Sequence, residues 1–293
     1  MDRIPLGTFT ITGAGGFVGT QLLAVCTSSD INARTVSIRE NPAATAIQLP
    51  PGDVLVHLAA IAHSNDPDEE RVFAINRDLA VATAGKARDT GYNHFIFLSS
   101  ALVWGSGYQS VGLSTPERPD TAYGRAKLEA EERLRAIESP DFTVTILRPP
   151  LVYGPGVKGN LAKLMRAAHL WPVCPLGVPD NQRSLLHVDN LASLILHLAA
   201  GRISGTFCPS DEVPYSTLEI LERIASWMPR HGRVIAMPLA AQWIAQRVAP
   251  GAARRLFGSF VIHDDSVQRT GFVPPFAPDD GFEKMVRHYL ANT

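Results

Sequence analysis

The sequence of 293 residues predicts an α/β protein: a doubly wound parallel sheet followed by a smaller C-terminal α/β lobe. Three observations predict it. Short apolar runs rich in β-branched residues alternate with longer helical patterns through the first half. A glycine-rich turn separates the first such run from the first helix. After about residue 150, Pro and Gly punctuate 149–159 and 172–179, and short helices are set among loops.

Taken in order, Thr8–Thr12 reads as a strand, Gly16–Ser28 as a helix and Arg34–Arg39 as a second strand. Val54–Ala60 is a continuous apolar run, as expected of a strand buried on both faces of a parallel sheet. Asp68–Thr90 is helical, with Asp66-Pro67 before it as a start signal. His94–Ser100 is another buried strand, Ala122–Ile137 a helix rich in Glu, Arg and Ala, and Thr143–Arg148 a strand stopped by Pro149-Pro150. Beyond these, Asn160–His169, Asp189–Ala199, Ser216–Met228 and Leu239–Val248 read as helices and Arg233–Met237 as a strand.

Composition narrows the function. Hydrophobic residues make up 45% and charged residues 19%, an ordinary globular mixture. With a net charge of −1 and no basic run, nucleic acid is not expected as a partner. Cys26, Cys174 and Cys208 are widely separated, form no metal-ligand spacing and suit a reducing compartment. The longest apolar stretch, around Leu191–Ala200, is too short to span a bilayer and carries His197, so no membrane insertion is expected. A strand beginning within the first ten residues leaves no room for a secretory leader, and a cytoplasmic location is the expectation.

Gly13, Gly16 and Gly19 recur at three-residue spacing between a strand and a helix. Such glycines let the backbone turn tightly and approach a pyrophosphate, whose charge the helix N-terminus favours. This is a Rossmann-type arrangement. It assigns residues 1–159 to a dinucleotide-binding domain and 160–293 mainly to a substrate lobe, with about 183–202 returning to the first sheet. Arg39 ends the second strand, where a carboxylate would hold the ribose of NAD(H). An arginine there pairs instead with a 2′-phosphate and favours NADP(H); Glu40 would serve NAD(H) if the register slips by one.

Tyr123 and Lys127 lie four residues apart, on one face of a helix. An ammonium beside a phenol favours the phenolate, so the pair is expected to lower the phenol pKa and give a general acid/base near neutral pH.

Five ordered motifs, taken with the glycine turn, carry a resemblance over nearly the whole chain. They are His57-Leu58-Ala59-Ala60, Phe97-Leu98-Ser99-Ser100-Ala101, Tyr123/Lys127, Leu147-Arg148-Pro149-Pro150-Leu151-Val152-Tyr153-Gly154-Pro155 and Arg183-Ser184-Leu185-Leu186-His187-Val188-Asp189, with Phe73-Ala74-Ile75-Asn76 in the intervening helix. The chain resembles an extended short-chain dehydrogenase/reductase of the NAD-dependent epimerase/dehydratase family. That resemblance implies a Ser100–Tyr123–Lys127 triad. It implies a nicotinamide cofactor held by Gly13, Gly16, Phe17, Val18, Gly19, Leu58, Ala59, Ala60 and Asn76 together with Tyr123 and Lys127. It further implies a nucleotide sugar held by Asn160 and Arg183 as well as Ser100 and Tyr123, and a homodimer formed through the Tyr123 helix.

The sequence departs from the family pattern at three places. Leu102 stands where epimerases often place a threonine, Leu151 where UDP-hexose epimerases use an asparagine, and Ser184 where an acidic residue is usual. His187 reads as structural, and Asp189 as the cap of the helix after it; His63 reads as a surface-loop residue. The Leu147–Pro155 run, the Arg183 segment and Leu256-Phe257-Gly258-Ser259 are similar to bacterial UDP-sugar 4-ketoreductases and 4-epimerases of surface-polysaccharide pathways, including those of the UDP-N-acetylquinovosamine route. Hydride transfer at C4 of such a sugar is the expected chemistry, with reductase favoured over epimerase. The Ala101-Leu102-Val103-Trp104 loop has no carboxylate pair, which disfavours a dehydratase. A non-catalytic dinucleotide-binding regulator is the alternative of another class, and retention of the Tyr–Lys pair argues against it.

Overall fold

The computed structural model describes residues 7–38, 47–61, 68–229, 232–248, 253 and 257–293. Its centre is a parallel six-stranded sheet in the order β10-β6-β4-β3-β1-β2. Strands β1 (Phe9–Thr12), β3 (Val54–His57), β4 (His94–Leu98) and β6 (Thr143–Leu147) are almost wholly buried. Their continuous apolar sequences suit a sheet covered by helices on both faces. The edge strands β2 (Ala33–Val36) and β10 (Gly205–Phe207) are more exposed.

The chain leaves β1 outward to β2, then crosses to β3 on the other side of β1. Strand order reverses there, which opens a crevice beyond the carboxyl ends of β1 and β3. Thr12 and His57, the last residues of the two strands, are register partners, so their ends are level.

Helices α1 (Phe17–Ser28) and α6 (Val188–Ala200) share one core cluster with Phe9, Val56 and Phe207. On the opposite face, α2 (Glu69–Phe73) runs through a π-helical turn, Ala74–Asp78, into α3 (Leu79–Asp89), beside α4 (Ala122–Ala136). The sequence reads this stretch as one uninterrupted helix from Asp68. Asp68 is the N-cap and accepts from the Arg71 amide at 3.0 Å. The interruption coincides with Asn76, whose amide takes the Val72 carbonyl at 3.0 Å.

The later segments form short parallel pairs: β7 (Leu151–Tyr153) with β9 (Leu185–His187), β8 (Val173–Gly177) with β11 (Arg233–Ala236), and β5 (Ser110–Val111) with β12 (Val261–Ile262). Apart from β11, sequence pattern assigns none of these, nor β10, because two to five residues carry too little periodicity. Helices α5 (Asn160–Leu170), α7 (Thr217–Ser226) and α9 (Pro278–Ala291) pack with Tyr153 around a second core. Between α7 and α9, α8 spans Leu239–Val248. His187, not Asp189, is the N-cap of α6, without a side-chain capping bond; Asp189 lies in the first turn and pairs with Lys284 at 2.9 Å.

His57 and His94 are completely buried in the sheet. Burial beside Lys127 holds His57 down to about 3, and burial near Arg202 holds His94 down to about 4. In the unfolded chain both regain a value near 6.5. The unfolded state therefore takes up more protons as pH falls through that value, and stability present above it is lost toward pH 4. The expected loss is of the order of 1–3 kcal/mol per imidazole. Thermal denaturation between pH 7 and pH 4 measures it, and His94→Gln should flatten the profile.

Candidate active site

The glycine turn sits at the crevice. Gly13 adopts a left-handed φ of +71°, and a Cβ there would lie 2.6 Å from the Ala59 nitrogen. A Cβ on Gly19 would lie 2.5 Å from the Gly13 carbonyl oxygen. These two positions therefore admit only glycine, one for the turn and one for the close approach of helix to turn. The Gly16 amide closes the turn on the Gly13 carbonyl at 3.0 Å. Gly15 and Gly16 are exposed, and nothing lies within 4 Å of a Cβ placed on Gly15. The first turn of α1 carries no acidic side chain, so its positive end is uncompensated. An open backbone cradle at a helix N-terminus fits the pyrophosphate of a dinucleotide.

Phe17 and Val18 open α1. Phe17 packs against the second core and Val18 against the first. Leu58, Ala59 and Ala60 follow β3 beside the turn, with the Leu58 amide donating to the Thr12 carbonyl at 3.1 Å. Asn76 is buried, and its side chain accepts from the Ile61 amide at 3.1 Å and donates to the Ile61 and Val72 carbonyls. It thus fixes the loop after β3 from behind. Arg39, Glu40 and His63 lie outside the described residues.

Tyr123 and Lys127 lie on α4, whose N-cap Thr121 accepts from the Gly124 amide at 3.0 Å. A Cβ on Gly124 would meet the Leu102 carbonyl at 2.5 Å, so this glycine lets α4 close on the 3₁₀ turn Ala101–Trp104. Ser100 caps that turn, accepting from the Leu102 amide at 3.2 Å, while also facing the cavity. Its neighbour Ser99 points inward and donates to Glu131.

The electrostatics differ from the sequence expectation. Burial pushes the Tyr123 phenol up to about 12, and the opposing pull is a hydrogen bond from Ser100, not the charge of Lys127. Lys127 is itself buried and pushed down to about 7, with Glu131 pulling the other way. Its ammonium donates to the Leu98 carbonyl at 2.8 Å and lies 4.3 Å from the Phe97 ring centre and 5.8 Å from that of Tyr123. The lowered phenol pKa read from spacing alone is thus corrected: desolvation outweighs the proximity of the amine.

Glu131, absent from the sequence reading, lies one further turn along the Tyr123–Lys127 stripe and is fully buried. It accepts from Arg148 at 2.6 Å, from Arg135 at 2.8 Å and from Ser99. Arg148 also reaches Glu117 at 2.8 Å, and its guanidinium lies 5.0 Å from the Trp104 ring centre. The four-residue spacing of Tyr123, Lys127 and Glu131 was the available signal.

Ser100, Tyr123, Asn160 and Arg183 line one cavity of about 370 Å³, with Leu102 and Phe260 among its apolar walls. Asn160 is the first residue of α5, after Gly159 at the cap position. Arg183 bonds the Gly258 carbonyl at 2.9 Å, and among the described residues no carboxylate pairs with it. Burial lowers its pKa, so a guanidinium there gains from an anion.

Arg148→Met should destabilise the fold by about 3–5 kcal/mol, since it leaves Glu131 buried without its main partner. Arg148→Met/Glu131→Leu should recover most of that loss in denaturant titration. Gly124→Ala should reduce turnover more than cofactor affinity, because it drives the Tyr123 helix away from the Ser100 turn; steady-state kinetics and cofactor titration separate the two.

A model of the NAD dependent epimerase/dehydratase family matches residues 9–205. A Vibrio cholerae protein described as UDP-glucose 4-epimerase is 30% identical, over 99% of this chain and 97% of its own. Among solved structures, MoeE5 in complex with UDP-glucose and NAD aligns over 97% of this chain and 99% of its own, with a TM-score of 0.76 and 19% identity. A Bacillus anthracis dTDP-4-dehydrorhamnose reductase in complex with NADP aligns over 98% and 99%, with a TM-score of 0.77 and 19% identity.

Proposed function

Because this chain belongs to the NAD-dependent epimerase/dehydratase family of NAD(P)-dependent oxidoreductases and epimerases, we propose that it transfers hydride at C4 of a nucleoside-diphosphate sugar. UDP is the proposed nucleotide and a 4-keto-6-deoxy sugar the proposed substrate. One observation carries the reading: Ser100, Tyr123, Asn160 and Arg183 face a single cavity. Two hydroxyls suited to a reacting sugar oxygen thus share a space with an amide and a guanidinium suited to a diphosphate. The nicotinamide cofactor supplies or removes the hydride when bound. The cradle of Gly13, Gly16 and Gly19 would hold its pyrophosphate, and Leu58–Ala60 would flank it. Ser100 would hold the C4 oxygen, Tyr123 would exchange its proton, and Lys127 would orient the nicotinamide ribose.

Reduction is the leading direction. Leu102 and Leu151 replace polar contacts expected of a UDP-hexose epimerase, and Arg39 favours NADP(H) by its chemistry. The alternative is a UDP-hexose or UDP-N-acetylhexosamine 4-epimerase, favoured by the full-length relative of that description from Vibrio cholerae.

The purified chain should contain no tightly bound NAD and should oxidise NADPH with a UDP-4-keto-6-deoxy sugar; retained NAD with interconversion of 4-epimers would instead establish the alternative. NADPH should bind more tightly than NADH in parallel titrations, with equal affinities removing the Arg39 assignment. Tyr123→Phe should retain cofactor binding and lose about 10²–10⁴-fold in turnover. Normal turnover in that variant would exclude the phenol as the proton donor.

A further inference from the structure

Helix α8 turns an apolar face outward. Ala240, Trp243, Ile244 and Val248 recur at helical spacing and are exposed, while Ala241 and Gln242 are half-buried. Leu239 is 80% exposed, Val248 79%, Trp243 57% and Ile244 54%. A surface helix of a globular protein ordinarily presents the opposite polarity, and a contiguous exposed apolar patch marks an interaction surface.

Charge in the same segment says what that surface fits. From Arg223 to His263 the sequence contains no Asp, Glu or Lys, although the whole chain has 28 acidic residues and a net charge of −1. Within those bounds stand Arg223, Arg230, Arg233, Arg247, Arg254 and Arg255. Arg223 is engaged with Asp279 at 3.2 Å, but Arg233 and Arg247 are exposed. The Arg247 guanidinium lies 4.4 Å from the Trp243 ring centre, so a cation and an amphipathic ring adjoin on the apolar face.

Trp and branched aliphatic side chains beside Arg247, in a stretch of sequence without Asp or Glu, match an anionic lipid interface. A second copy of the chain fits less well, because a two-fold contact would set this arginine-bearing face against itself. Nucleic acid would leave the Leu239, Ile244 and Val248 side chains without an apolar partner. Ten residues of helix span about 15 Å, half the thickness of a bilayer core, so α8 is suited to lying in the interface plane. Among the described residues no helix is long and apolar enough to cross a membrane.

We propose that α8 is a membrane-surface helix that lays Leu239, Trp243, Ile244 and Val248 into the interface of an anionic bilayer, with Arg247 at the headgroups. This is independent of the hydride-transfer reading, since it uses none of the cavity residues.

Co-sedimentation of the full chain tests it, with vesicles of phosphatidylcholine alone and of phosphatidylcholine mixed with phosphatidylglycerol. The chain should pellet with the mixed vesicles at low salt and be released as salt rises. Arg247→Glu should weaken binding about tenfold or more. Trp243→Glu/Ile244→Glu should abolish it while leaving circular dichroism and cofactor binding unchanged, because both side chains already face solvent. A blue shift of tryptophan emission on the mixed vesicles, absent in Trp243→Phe, supplies a readout that does not depend on the double variant. Three results would each overturn the proposal: no pelleting with anionic vesicles, equal binding by the double variant, or a double variant whose sole effect is to dissociate a dimer in solution.

Discussion

The buried carboxylate of Glu131 ties together the elements on which the candidate site depends. It stands on α4, one turn from Lys127 and two from Tyr123, and it bonds Arg148 just after β6 and Ser99 just after β4. A helix carrying the Tyr–Lys pair is thereby fastened to two neighbouring strands, β4 and β6, whose carboxyl ends lead into the cavity-lining residues Ser100, Pro149 and Pro150. The bond to Ser99 also sets the chain direction for the next residue: with Ser99 turned inward, Ser100 is left toward the cavity. Arg148 extends the tie to Glu117 and lies against Trp104, which ends the 3₁₀ turn that Ser100 caps. Such an ion pair is weak evidence of net stabilisation, because both charges are desolvated, but it strongly disfavours any other placement of α4.

The legible parts of this molecule are those whose signals are local. Each central strand is a run of apolar and β-branched residues long enough to read, and the glycine turn declares itself by its place between strand and helix. Tyr123 and Lys127 are legible because four residues is one helical turn. Glu131 follows the same spacing, but its partners Ser99 and Arg148 lie on other elements, and sequence separation of 32 and 17 residues conceals the network. The short strand pairs of the second lobe are illegible because their pairing is set by tertiary contact. Helix α9 is different: Pro278 followed by Asp279 and Asp280 is an ordinary start signal, and it passes unread beside the stronger motifs upstream.

The Tyr123 phenol shows where spacing reaches its limit. Proximity of an amine predicts a lowered pKa only if the amine is charged and the phenol solvated. Here both groups are nearly inaccessible, and burial drives each toward its neutral form, the phenol up to about 12 and the amine down to about 7. On the proposed reading this bears on direction. Reduction of a 4-keto sugar begins with a neutral phenol that can donate a proton to the nascent alkoxide, whereas oxidation of a 4-hydroxyl begins with a phenolate that must accept one. Burial favours the neutral phenol of Tyr123, the form from which the proposed reduction would start. Oxidation would first need the phenolate to be stabilised against its own burial, by the Ser100 hydroxyl, by a charged Lys127 maintained through Glu131, and by whatever positive charge the bound cofactor adds.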